Sequence, residues 1–249
     1  MWPIYIIAIT LCFLITRVLP LPDRSVSIGD YFLNSFFING FIGAPYVDSA
    51  HWYITDLIGC YIVFSIVNIA KEDRTRTILK TAFVVISLVL GFVVGKDEST
   101  IIWYVLYALI GSGRICLFLA GEAVFNFSKR QWNQAIYIEI LSIVLCLLKF
   151  SILYAITMLA AQLLLWLALT GYLKLFSLKP LSSIGEASYS IYAFHQNIGF
   201  IVIFYLTDKI GGYSFGISAI VYILMLLWGL FAYRYIEKPI RGALRKANI

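Results

Sequence analysis

The chain alternates between long apolar runs and short polar segments. Most apolar runs approach the roughly 20 residues that a helix needs to cross a bilayer. The run over residues 135–176 is too long for one helix, so we divide it near Lys149. The pattern predicts an all-α, polytopic integral membrane bundle that forms a single membrane domain over residues 1–249. Its predicted transmembrane helices, about eight in number, are 3–19, 52–70, 78–95, 101–125, 135–149, 152–174, 186–207 and 214–236.

Residues 20–51 interrupt this pattern with a long segment rich in aromatic residues and glycine. Pro20 and Pro22 end the first predicted helix. A loop of this length is unusual in a compact protein. We expect it to be interfacial or re-entrant.

Composition supports a membrane protein and excludes a soluble one. Hydrophobic residues make up 61% of the chain and charged residues 13%, whereas about a quarter of a soluble domain is charged. The net charge of +6 is spread between apolar segments and does not form the basic patch typical of nucleic-acid binding. The expected partner is therefore the lipid bilayer, with no nucleic acid.

Lysine and arginine are distributed unequally between the two ends of the predicted helices. Thirteen lie on the side that holds both chain termini and five on the other, with Arg114 inside a helix. Cytoplasmic loops carry the excess of basic residues in membrane proteins. The distribution therefore predicts that both termini are cytoplasmic.

The sequence contains no recognisable metal or disulfide pattern. The four cysteines lie inside apolar segments without C-x-x-C spacing, which is typical of small packing residues. The two histidines, His51 and His195, belong to no H-x-x-x-H or H-E-x-x-H motif. We expect no metal and no bound cofactor.

A polar stripe crosses the predicted seventh helix. Ser188, Tyr192, His195 and Gly199 are spaced at i, i+4, i+7 and i+11, on one side of a helix. Such a stripe must face protein or a water-filled cavity, because unsatisfied polar groups in lipid cost several kcal/mol each. It indicates either a functional site or hydrogen-bonded packing between helices.

Charged residues also occur inside predicted spans, among them Asp56, Arg114 and Glu122. An arginine at the bilayer centre costs ~3 kcal/mol or more, so Arg114 requires a partner. Our first interpretation is a carboxylate from another helix. The alternative is a clamp for a ligand phosphate or carboxylate, which the guanidinium fork suits.

These residues could carry acyl transfer to a hydroxyl, a reaction that needs a base, a group to orient it and donors for the oxyanion. His195 is the candidate base, with Asp56 or Glu186 as its orienting group. Tyr192 or Tyr189 would donate to the oxyanion.

Several motifs together resemble the acyltransferase-3 family of integral membrane acyltransferases, which includes bacterial O-acetyltransferases of surface polysaccharides. The run SIGEASYSIYAFH is similar to the family signature G-x-x-S-Y-x-x-Y-x-x-H. The run DYFLNSFFINGFIGAPYVDSAHWYITDLIGCYI resembles the loop that leads to a Trp-containing helix entry, and EKPIR the closing Glu-x-Pro. MWPIYIIAITLCFL resembles the start of the third helix of the family, so the resemblance spans about residues 3–241.

The resemblance implies a ten-helix bundle that moves an acyl group from acyl-CoA on the cytoplasmic side to a carbohydrate hydroxyl. Trp52 falls on the helix-entry motif, and Glu237 with Pro239 on the closing motif. The signature covers Ser188, Tyr189, Tyr192 and His195. We expect His195, Asp56 and Tyr192 to be catalytic and the following to bind substrate: Arg114, Trp52, Ser188, Tyr189 and Glu122.

Two departures from the family pattern affect this expectation. The helix entry reads W-Y-I-T-D, where many members carry W-S-L-x-x-E, so Asp56 stands near the position of a glutamate. The match also begins at the third helix, without the Arg and the expected catalytic His of the first. The chain by itself is then inactive unless His195 replaces that base or a separate chain supplies the two helices.

The sequence thus predicts a multi-pass protein of the bacterial cytoplasmic membrane that transfers an acyl group, most simply acetyl, from acetyl-CoA to a cell-envelope carbohydrate. The alternative is a non-enzymatic transporter or remnant that binds or moves a glycan or lipid. In that case the polar stripe would line a pathway.

Overall fold

The computed structural model describes residues 2–22, 24–93, 101–111 and 114–246, and the regular structure in these ranges is entirely helical. Short 3₁₀ turns lie at Ser49–His51 and Lys174–Ser177, and π-helical turns at Tyr107–Gly111 and Tyr233–Glu237. The α-helices are α1 (Trp2–Val18), α2 (Ile28–Ser35), α3 (Asn39–Ile42), α4 (Trp52–Ile69), α5 (Asp73–Val93), α6 (Ile101–Leu106), α7 (Ile115–Ser128), α8 (Trp132–Lys149), α9 (Ile152–Leu169), α10 (Lys179–Glu186), α11 (Ser188–Phe194), α12 (Gln196–Ile210), α13 (Phe215–Ala232) and α14 (Lys238–Lys246).

Helices long and apolar enough to cross a membrane number five within the described residues. They are Ser49–Ile69, Ile101–Ser128, Trp132–Lys149, Ile152–Leu169 and Phe215–Lys246. The predicted all-helical membrane fold is therefore confirmed, whereas the count of eight stays a prediction. Of the remaining predicted spans, α1 is apolar but has 17 residues, and α5 opens with the charged sequence DRTR.

Two predicted spans contain more than one described helical element. The predicted seventh helix consists of α11 and α12, which meet at a bend at His195. The predicted fourth span consists of α6, a π-helical turn and α7, and Arg114 lies directly before α7. Apolar periodicity predicted continuous helices at both places because a local bend leaves no mark on hydropathy.

The described chain divides into two compact units. Unit 1 contains Met1–Gly40, Ala44–Trp52 and Leu178–Ile249, and unit 2 contains Phe41–Gly43 and Tyr53–Ser177. The predicted single membrane domain remains a prediction.

In unit 1 the long segment after α1 runs back along that helix. Near the end of α1, Arg17 Nη2 donates to the carbonyl oxygen of Val26 at 2.9 Å. At the start of the same helix, Trp2 Nε1 donates to the carbonyl oxygen of Ser35 at 2.9 Å. Residues 26–35 therefore lie antiparallel to α1 over its length, and the prediction that the segment is interfacial or re-entrant stays a prediction.

The core of unit 1 lies where α1 meets α11. Ile4 and Ala8 of α1 pack against Ala193 and Phe194, and Ala232 at the end of α13 completes the cluster. The three alanines of this cluster allow the helix backbones to approach closely.

Unit 2 has its core between α7, α8 and α9. Cys116 of α7, Cys146 of α8 and Met158 of α9 are buried in one cluster. Buried Ser142 donates to the carbonyl oxygen of Cys116 at 2.8 Å, which adds a polar contact to close helix packing. All four cysteines of the chain are buried and free, which confirms their predicted packing role.

Candidate active site

The signature segment bends at an exposed histidine in unit 1. Helix α11 ends at Phe194, α12 begins at Gln196, and His195 lies exposed between them. Hydrogen bonds from residues 47–51, which we call the clamp loop, reach the helices on both sides of His195.

Two of these bonds hold the last turn of α11. The Tyr192 hydroxyl donates to the carbonyl oxygen of Ala50 at 2.5 Å. The His51 ring nitrogen Nε2 lies 3.2 Å from the carbonyl oxygen of Ala193. The clamp loop therefore contacts Tyr192 and Ala193, in the last turn of α11.

Two further bonds hold the first turn of α12. Asp48, which is 2% exposed, accepts the backbone N–H of Asn197 at 3.0 Å through Oδ2. The Asn197 side chain donates to the carbonyl oxygen of Val47 at 2.8 Å and accepts from Arg24 Nη1 at 2.5 Å. Asp48 thus serves α12 as an N-terminal cap supplied from a distant part of the chain.

The bond made by His195 defines which of its nitrogens can accept a proton. Nδ1 lies 2.8 Å from the carbonyl oxygen of Tyr192. A carbonyl oxygen only accepts, so Nδ1 carries the hydrogen and neutral His195 has its lone pair on Nε2. Among the described residues no group hydrogen-bonds Nε2, and the ring is open to a ligand.

His51 is the main residue that sequence reasoning missed. Its side chain is 1% exposed and its ring lies 5.0 Å from that of Tyr5 and 5.9 Å from that of Tyr192, centroid to centroid. Nδ1 has no hydrogen-bond partner within the described part of the chain. The polar run D-S-A-H directly before the predicted helix entry was the available signal.

The two signature tyrosines differ in the use of their hydroxyl groups. The Tyr192 hydroxyl donates its single hydrogen to the carbonyl oxygen of Ala50, so this hydroxyl makes a structural contact in this arrangement. The half-buried Tyr189 has its ring 6.4 Å from that of Tyr192, and its hydroxyl has no hydrogen-bond partner among the residues described. Tyr189 is therefore the available donor of the pair. Ser188, at the start of α11, is exposed.

The closing motif anchors the signature helix. Glu237, 3% exposed, accepts the Ser190 hydroxyl at 2.5 Å through Oε2, and its Oε1 lies 2.7 Å from Arg241 Nη2. Glu186, the alternative orienting group for His195, instead accepts the Tyr233 hydroxyl at 3.0 Å. Glu237 is the last residue of the π-helical turn Tyr233–Glu237, and its carboxylate contacts Ser190. Such turns are frequent at functional sites.

The other predicted site residues form ion pairs in unit 2, apart from Trp52. Arg114 Nη1 donates to Asp56 Oδ2 at 2.7 Å, so the predicted carboxylate partner of Arg114 is confirmed. Glu122 pairs with Lys80. Trp52 begins α4 and is exposed. His195 and Asp56 belong to different units, and the prediction that Asp56 orients His195 stays a prediction.

One family model matches almost the whole described chain. The family model of the acyltransferase-3 domain, described as an acyltransferase domain, matches residues 1–234. The chain belongs to the acyltransferase-3 family. Neither a curated protein nor a solved structure matches it.

The acyltransferase-3 match includes the clamp loop, the bend at His195 and the ion pairs of unit 2. It ends three residues before Glu237. Family membership and the apolar helices together identify a membrane protein of an acyltransferase family.

Proposed function

We propose that this protein transfers an acyl group, most simply acetyl, from acyl-CoA to a hydroxyl of a cell-envelope carbohydrate. It would act in the bacterial cytoplasmic membrane, with both termini cytoplasmic. The observation that carries the proposal is the exposed His195 between α11 and α12, whose Nδ1 contact with the Tyr192 carbonyl leaves Nε2 as the nitrogen that can accept a proton. Family membership supports the reaction class.

The chemistry follows from the neutral imidazole. His195 Nε2 removes the proton of the acceptor hydroxyl as its oxygen attacks the carbonyl carbon of the thioester. The negative charge that develops on the carbonyl oxygen is stabilised by a donor, for which the Tyr189 hydroxyl is the candidate. The carbon–sulfur bond then breaks, the imidazolium returns its proton to the departing thiolate, and an ester and free CoA remain.

The test measures both products in membranes that contain the full chain. Acetyl-CoA with a labelled acetyl group is supplied together with cell-envelope saccharide, and labelled saccharide and free CoA thiol are quantified. Equal amounts of the two products are expected. His195→Gln keeps a polar side chain of similar length but removes the base, so transfer falls by about 10²–10⁴-fold.

Lys209→Gln, at the exposed far end of α12, is the control and leaves transfer unchanged. If the His195→Gln protein accumulates in the membrane and transfers the acetyl group as fast as the wild type, His195 is not the base. Movement of saccharide across the membrane with no release of CoA would overturn the proposal and favour a transporter.

A further inference from the structure

Helix α14 in unit 1 is amphipathic, and none of its residues is buried. Ile240 and Leu244 lie on one side of the helix, and Leu244 is 37% exposed. Lys238, Arg241 and Arg245 are spaced at i, i+3 and i+7 and share another side. A helix with a basic face and an apolar face that remains accessible is typical of the interface between a membrane and water.

The length of the preceding helix predicts that α14 lies at the membrane surface. The helical run Phe215–Lys246 has 32 residues and would be about 48 Å long, whereas the hydrocarbon core of a bilayer is about 30 Å thick. Helix α13 contains no charged residue, and its 18 residues extend about 27 Å, which nearly fills that core. We therefore expect α14, which follows after a turn of five residues, to begin near the level of the lipid phosphates.

The charge exposed on α14 is entirely basic. Four of its nine residues are lysine or arginine and none is acidic. The acid that directly precedes it, Glu237, is 3% exposed and accepts the Ser190 hydroxyl, so its charge is directed inward. Anionic phospholipids attract such clusters of basic residues next to a transmembrane helix. A zwitterionic headgroup adds an ammonium group that the same basic face repels.

Arg241 connects this basic face to the signature helix. Its Nη2 lies 2.7 Å from Oε1 of Glu237, and Oε2 of Glu237 accepts the hydroxyl of Ser190 on α11. The Arg241 side chain is 56% exposed. A guanidinium has five N–H donors in a planar fork, so Arg241 can contact a phosphate at the surface while it pairs with Glu237. A bound phosphate would thereby restrict the side chain that faces the anchor of α11.

We propose that α14 binds the headgroup of an anionic phospholipid through Lys238, Arg241 and Arg245, and that this contact stabilises the Glu237–Ser190 anchor of the signature helix. The lipid phosphate would neutralise the basic face, and the apolar face would contact the acyl chains next to the headgroup. A soluble anion could contact only the basic face, so the exposed Leu244 favours a lipid. The binding site does not depend on the proposed function.

Lipid affinity is measured by native mass spectrometry of the full chain in a neutral detergent, titrated with phosphatidylglycerol or with phosphatidylcholine of the same acyl chains. The wild type is expected to bind phosphatidylglycerol more tightly. Lys238→Gln combined with Arg245→Gln should weaken that binding by about 30-fold, because each basic residue near an anionic lipid contributes a factor of roughly five. Arg241 is left in place, so its pairing with Glu237 remains.

The matched control combines Lys71→Gln with Arg74→Gln, two exposed residues near the start of α5 in unit 2. Both double variants lose two positive charges from exposed side chains, so non-specific attraction to an anionic lipid falls equally and neither is expected to disturb folding. The control should bind phosphatidylglycerol almost as tightly as the wild type. An equal loss of affinity in the two double variants, or equal affinity of the wild type for the two lipids, would overturn the site.

The effect on the signature helix is measured by hydrogen exchange of the α11 backbone amides in nanodiscs. Phosphatidylglycerol, compared with phosphatidylcholine, is expected to slow this exchange in the wild type and in the control variant but not in the α14 double variant. Unchanged exchange in the wild type would overturn the coupling to Ser190. Both measurements are made without an acyl donor, so a failure of acyl transfer would contradict the proposed function alone, and a failure of lipid binding would contradict this inference alone.

Discussion

The two units satisfy their polar groups in different ways. Around His195 in unit 1, several contacts run to backbone carbonyls, as in Tyr192 to Ala50 and Asn197 to Val47, and the charged groups Asp48 and Arg24 both bond Asn197. In unit 2, acids that are buried or half-buried have direct side-chain partners, namely Asp56 with Arg114, Glu122 with Lys80 and Glu139 with Gln162. The contacts around His195 leave its Nε2 without a hydrogen bond to any described residue, whereas the pairs in unit 2 connect neighbouring helices and fix their packing.

The largest expected effect comes from breaking a pair in unit 2. Arg114→Leu leaves the largely buried carboxylate of Asp56 without its cation, and loss of one partner of a buried pair costs about 3–5 kcal/mol. The thermal midpoint of the detergent-purified protein should fall sharply. Asp56→Leu combined with Arg114→Leu should recover most of the loss, because no isolated charge remains.

This pair of variants tests whether Arg114 is a packing contact. If the single variant is as stable as wild type but loses acyl transfer, Arg114 is a ligand clamp and the contrast between the units fails.

An intermediate effect is expected where helices approach through glycine. A Cβ at Gly229 would lie 2.7 Å from the Cα atom of Ile191 in unit 1, and one at Gly59 would lie 2.2 Å from the carbonyl oxygen of Ala108 in unit 2. Each alanine substitution should cost about 1–3 kcal/mol, since backbone must move. Gly121→Ala is the control, because nothing lies within 4 Å of its added Cβ.

The stability of all three glycine variants is compared by their thermal unfolding midpoints. Only Gly229→Ala should also reduce acyl transfer at temperatures where the protein is folded, because Ile191 belongs to the signature helix α11. Equal loss of transfer in Gly59→Ala would show that this selectivity is absent.

The smallest expected effect comes from a substitution that tests the role of the clamp loop. His51→Leu removes the donor to the Ala193 carbonyl, and the resulting looseness at the bend should lower kcat by about tenfold, the equivalent of one hydrogen bond, with KM unchanged. His51→Gln places an amide nitrogen near the position of Nε2 and should restore most of kcat. Failure of glutamine where histidine works would indicate that His51 transfers a proton.

Much of the helical architecture could be predicted from the sequence. Long apolar runs predicted the helices well, and the need of Arg114 for a carboxylate followed from the cost of charge in lipid. The interruption at His195 and the π-helical turn Tyr107–Gly111 were missed because hydropathy averaged over a whole span does not show where the helical hydrogen bonding changes. His51 was missed as a site residue because its contacts, with Tyr5 and Ala193, are distant along the chain.

The sequence by itself determined the helical membrane class, the family and the signature residues, because hydropathy and motif spacing are local properties. Only the tertiary structure decided that the clamp loop holds the bend and that Ser190 is anchored by Glu237. Each of these depends on hydrogen bonds or packing between residues many positions apart. Their pairing is selected by the folded arrangement of helices and is not encoded in any one segment.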